Sequence, residues 1–167
     1  MRMLKQWNSR VWVGTAVVAA LAVGVLLGSS FAPRSEAAAQ ATVTFSGDAA
    51  VVLNVVNPAN TADFERAMQA YGETLAGSDD AQLSQMGAGM KLFRADTPGP
   101  NGYVIYYQFM DPVVSGGNYA LAQVLADNYL DGPPGNGDEV RELYGAYSGA
   151  LQGGGQQSIN LTLVAEF

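Results

Sequence analysis

The sequence predicts an α+β domain: four strands in one antiparallel sheet, with helices packed on one face. Three observations lead there. Four β-rich runs, at 49–56, 90–95, 103–110 and 158–167, are bounded by turn signals. Two intervening stretches repeat apolar residues at helical spacing. The chain of 167 residues has no cysteine, so the fold must rest on an apolar core without disulfides.

"AAVVLNVV" (49–56) is a β-branched run of strand length, stopped by Asn57-Pro58. Asn60 or Thr61 then caps a helix, with Asp63 and Glu65 at the positive end of its dipole. Phe64, Ala67, Met68, Tyr71 and Leu75 form its apolar stripe, and Gly77 stops it. Residues 78–89 read as a loop. "MKLFRA" (90–95) is a short strand, and "DTPGPNG" (96–102) joins it to "YVIYYQFM" (103–110). Asp111-Pro112 closes that strand, because proline lacks a donor and restricts the residue before it. "NYALAQVLADNY" (118–129) is helical, and Asp138 caps a further helix carrying Val140, Leu143, Tyr144, Tyr147 and Leu151. "QGGGQ" breaks this helix, and "SINLTLVAEF" (158–167) is the last strand.

The order βαββααβ is that of the ferredoxin-like, split βαβ arrangement. Side chains alternate across each strand. One face then carries Val51, Leu53, Val55, Tyr103, Ile105, Tyr107, Phe109, Ile159, Leu161 and Leu163. It is wholly apolar or aromatic and is expected under the helices. The other face mixes Val52, Val56, Val104, Tyr106, Met110 and Val164 with Asn54, Gln108 and Asn160. Leaving those six large groups in water forfeits on the order of 10 kcal/mol, so a cover is expected. A second copy packed sheet to sheet is the simplest one.

The N-terminal region reads as a leader. Arg2, Lys5 and Arg10 precede an uncharged run at 11–28, and small residues follow to Ala41. This is the pattern of a signal peptide over 1–41, with Ala39-Gln40-Ala41 as the cleavage site and Ser35-Glu36-Ala37 as the alternative. Left uncut, residues 11–28 are long enough to anchor the chain in a membrane. Either way the rest is exported, to periplasm or medium. Residues 42–48 form a tether and 49–167 the α+β domain.

From Thr42 onward, four bases (Arg66, Lys91, Arg94, Arg141) face fourteen acids, a net charge of −10. Such a domain repels phosphate backbones, so no nucleic-acid partner is expected, and membrane contact only through an uncleaved leader. The chain has no histidine and no cysteine. Ser-His-Asp and Cys-His nucleophilic sites, ordinary zinc sites and His- or Cys-ligated haem are thereby excluded. No catalytic residue, metal ligand or cofactor is assigned. Residues 131–142 have the length of a calcium loop, but Pro133 and Gly135 offer no side-chain oxygen. Asp96 and Asp111 stand at opposite ends of the tyrosine-rich strand, too far apart for paired acid–base work.

Residues 49–167 resemble the dimeric α+β barrels, which include the antibiotic-biosynthesis monooxygenase-like proteins. More narrowly, "MKLFRA", "YVIYYQFMDPVV", "ELYGAY" and "INLTLVAEF" are similar to segments of a group of small exported bacterial proteins without an assigned activity. The resemblance implies a homodimer joined through the sheet. Cofactor-free monooxygenases of the barrel family often use Trp, His or Asn in the cavity, whereas both tryptophans here, Trp7 and Trp12, lie in the leader.

The expected function is therefore that of an exported, non-catalytic homodimer. The alternative is a binder of a small organic ligand, or a cofactor-free enzyme of the barrel type. Its candidate ligand-binding residues are Asn54, Tyr106, Gln108 and Asn160 on the mixed face, with Arg94 to grip an anionic group.

Overall fold

A computed structural model describes residues 42–132 and 135–167. The leader and both cleavage sites lie outside the described residues. The structure is an α+β domain with one antiparallel sheet. Its elements are β1 (Ala49–Val56), α1 (Thr61–Ala76), α2 (Ala81–Ala88), β2 (Met90–Arg94), β3 (Val104–Met110), α3 (Leu121–Asn128), α4 (Gly137–Ala150) and β4 (Leu151–Leu161).

The strands lie in the order β2-β3-β1-β4. All neighbours are antiparallel: Leu53 pairs with Tyr107 and with Gln157, and Phe93 pairs with Tyr107. The apolar strands β1 and β3 are thus central, and β2 and β4 form the edges.

Local chemistry sets the boundaries. Asn57 Oδ1 accepts from Ala59 N at 3.0 Å and turns the chain after β1. α1 begins at Thr61 with Asn60 before it, though the Asn60 side chain makes no capping bond. It ends at Gly77, whose N–H donates to Glu73 O at 2.9 Å. Along α1, Phe64, Ala67, Met68, Ala70, Tyr71 and Leu75 are buried, the expected stripe.

Residues 78–89, expected as a loop, contain α2. Asp80 Oδ1 accepts from Gln82 N at 2.8 Å and Leu83 N at 3.0 Å, a standard N-cap. Only Met86 of this helix is buried, so its apolar stripe is nearly invisible in the sequence. Gly87 lets it lie close to α1, because a Cβ there would sit 2.6 Å from Ala76 N.

The C-terminal strand is also displaced from its expected position. It starts at Leu151, directly after α4, and ends at Leu161. Gln156 pairs with Asn54 and Leu151 with Val56, so residues 152–155 stand opposite Val55 alone. The glycine run is a bulge within the strand. Gly155 is required there, since a Cβ would fall 2.9 Å from that of Val55. Residues 162–167 continue beyond the sheet.

The largest correction concerns the faces. Ala50, Val52, Val56, Tyr106 and Met110 belong to the core cluster with Phe64, Met68, Tyr71, Leu75, Leu125 and Leu143 of the helices. The mixed face therefore lies beneath the helices, and the wholly apolar face looks outward. There Leu53, Val55, Ile105, Tyr107 and Phe109 are half-buried, while Phe93, Ile159 and Leu161 are exposed. A crossover connection has a fixed hand, which sets the side of the sheet the helices lie on, and the strand register puts the Asn54–Tyr106 parity on that side.

The expected tether is docked. Phe45 is buried, with its ring 5.3 Å from that of Tyr119. Tyr119 N donates to Val43 O at 2.7 Å. Opposite, Asn136 terminates α3: its buried Nδ2 donates to Leu125 O (3.2 Å), Ala126 O (3.0 Å) and Tyr129 O (3.0 Å). Removing it leaves three carbonyls without that donor. Asn136→Ala is expected to cost about 2 kcal/mol, read as a lower urea midpoint at an unchanged m-value.

Candidate functional site

One row of side chains crosses the whole sheet beneath the helices. Arg94 of β2 pairs in register with Tyr106 of β3, Tyr106 with Asn54 of β1, and Asn54 with Gln156 of β4. Each strand thus contributes one group able to hydrogen-bond, all on the helix side. The helices close the row at two points. The Tyr106 hydroxyl donates to Glu65 Oε1 of α1. Gln156 Nε2 contacts the Tyr147 hydroxyl of α4 and donates to Asn54 Oδ1 at 2.8 Å.

Phe64 fills the space between. Its ring lies 4.8 Å from that of Tyr106 and, stacked, 5.7 Å from that of Tyr147. Arg94 stands at the rim, with NH1 3.6 Å from Glu65 Oε1 and its guanidinium carbon 6.0 Å from the centre of the Tyr106 ring. Both partners of that ion pair are about half exposed, so it contributes little stability.

Three of the five candidate residues, Asn54, Tyr106 and Arg94, therefore come together. Gln108 lies on the same face, two residues along β3, and its Nε2 approaches Met90 Sδ at 3.2 Å. Asn160 is elsewhere. It pairs with Ala50 at the far end of the sheet, and its Oδ1 accepts from Ser46 N (2.9 Å) and Gly47 N (3.3 Å). It fastens the docked 42–48 segment.

Sequence reasoning missed Glu65, Tyr147 and Gln156. Glu65 reads as a helix-dipole acid and Tyr147 as one member of an apolar stripe. Gln156 sits in a run that reads as a helix breaker. Only the register of β4, shifted by its bulge, brings Gln156 beside Asn54.

The row is chemically quiet. Burial, and then the hydrogen bond to the Glu65 carboxylate, push the Tyr106 hydroxyl up to about 12. At neutral pH it is a committed donor and not a base. Burial also raises Tyr147 and, most strongly, Tyr71, whose hydroxyl donates to Tyr119 O at 3.1 Å. Among the described residues, no buried side-chain nitrogen or oxygen lacks a partner, so the interior of the row is satisfied. Nor do three carboxylates among the described residues come close enough to hold a metal ion.

Two open hollows lie away from the row's centre. One, of about 250 Å³, is lined by Arg94, Ala95, Asp96, Pro98 and Val104. The other, of about 450 Å³, is lined by Gln85, Ala88, Gly89 and residues 112–115. No family model, curated protein or solved structure matches this chain.

The raised phenols set an alkaline limit. Their neutral form is favoured in the fold, so their contribution is intact below pH ~10, the unfolded value, and is lost as pH rises through the folded values. Stability is expected to fall from pH 10 upward. In a titration read by tyrosinate absorbance, Tyr71, Tyr106 and Tyr147 should ionise late, above the ordinary phenol value of about 10. Tyr106→Phe should remove one late-ionising group.

Proposed function

We propose that this is an exported, non-catalytic homodimer whose copies pack open sheet face against open sheet face. In this reading the strand order is ferredoxin-like and the pair forms a dimeric α+β barrel. The leader over 1–41 carries the chain out of the cytoplasm.

The observation that supports this is the open face itself. Val51, Leu53 and Val55 of β1 share it with Ile105, Tyr107 and Phe109 of β3, Phe93 of β2, and Ile159 and Leu161 of β4. Phe93 is 52% exposed and Ile159 40%. Withdrawing such half-exposed groups from water gains about 1 kcal/mol each. Charge is sparse there: among the strand residues of this face Lys91 is the one ionic side chain, and none is an acid. Two acidic domains can therefore bring these faces together without opposing strand carboxylates.

The polar row takes a structural part in this proposal. Its groups are spent on one another, and Phe64 occupies the space a ligand would need. We read it as a means of fixing how the helices seat on the sheet.

The exported chain is expected to show twice its chain mass by light scattering. Phe93→Asp with Ile159→Asp places charge at two exposed positions, so it should give a monomer with an unchanged far-ultraviolet circular dichroism spectrum. A wild-type monomer at millimolar concentration would overturn the proposal.

A further inference from the structure

We infer that residues 162–167 are an arm that adds to the outer edge of β2 in the second copy. This rests on the homodimer reading above and specifies how the two sheets are joined. A standard interface takes about 800 Å² of accessible surface from each partner, and a segment beyond the sheet would add to what the open face supplies.

The arm is the segment that fits. The sheet ends where Leu161 pairs with Ala49. Past that point, among the described residues, one hydrogen bond holds the chain, Leu163 N donating to Asp48 Oδ2 at 2.9 Å. The side chains beyond stand in water: Leu163 is 64% exposed, Val164 95% and Phe167 fully. Three large apolar groups in six residues suit a covered strand and not a solvated terminus. Six residues span about 20 Å when extended, enough to leave one copy and run beside a strand of the next.

The recipient edge is β2. As the first strand in the order β2-β3-β1-β4, it has a free outer edge of backbone donors and acceptors. Its five residues match the arm in length, and Leu92 and Phe93 are exposed along it. The charges also match. Lys91 makes no ion pair among the described residues, and Arg94 makes only the long one to Glu65. The arm brings Glu166. Main-chain bonds would supply affinity and the Lys91–Glu166 pairing direction, as in other strand additions. A twofold axis makes the exchange reciprocal.

The chain has no cysteine, so cross-linking starts from a clean background. Full chains carrying Phe93→Cys and a size tag are mixed with untagged chains carrying Leu163→Cys or Val164→Cys, then oxidised. A mixed disulfide between tagged and untagged chains is expected, and its absence from both mixtures overturns the inference. Ending the chain at Leu161 should raise the dimer dissociation constant at least tenfold by sedimentation. Lys91→Glu should weaken the dimer likewise, and adding Glu166→Lys should restore it. An unchanged constant on truncation overturns the arm while leaving the face-to-face dimer standing. A full chain that is monomeric at every concentration overturns both.

Discussion

The domain is organised by a strand that carries apolar side chains on both of its faces. β1 has a pairing partner along each edge, helices against one face and apolar neighbours on the other. Its β-branched run leaves no side where water is tolerated, so every other element is placed by what β1 requires. β3 repeats the condition, with Tyr106 turned in and Tyr107 turned out. In this sheet of four strands the helices cover one face of that central pair and leave the other open.

The interior answers a second difficulty, which is that the helix-covered face is the less apolar of the two. Asn54 is fully buried. A buried amide costs a few kcal/mol unless its groups are satisfied. Asn54 Oδ1 accepts from Gln156, which also meets Tyr147 of α4, and Asn54 Nδ2 donates to Val52 O at 3.3 Å, while a separate bond from Tyr106 to Glu65 ties β3 to α1. Apolar packing permits many seatings of a helix on a sheet, whereas a line of directional bonds permits few. The row therefore gives the core a defined geometry, with Phe64 wedged at its centre.

Much of this was legible in the sequence. The bounds of β1 and α1 follow from Asn57-Pro58 and Gly77, which act locally and need no tertiary information. The alternation of the tyrosine strand places Tyr106 opposite Tyr107 correctly. Which of the two faces inward was not legible, because pleat parity says that faces differ and not which side a crossover takes. α2 was hidden because a helix that buries only Met86 has almost no periodicity to read. β4 was misplaced because glycine breaks a helix and also forms bulges, and only the partner strand tells which. The candidate residues Asn54, Tyr106 and Arg94 converge because they share that parity. Asn160 shares it too, but stands four residue pairs away along β1, a distance no pattern on one strand encodes.

The four residues of β4 that stand opposite Val55 have an effect on tolerance to change. Strand pairing resumes at Gln156 however the slack before it is arranged. Insertions and deletions between α4 and Gln156 can thus be taken up as a larger or smaller excursion of the backbone. The downstream residues Ile159 and Leu161 then keep their outward orientation. The glycine run works as an expansion joint between the helix on one side and the outward-facing surface on the other, with Gly155 as its fixed point against Val55.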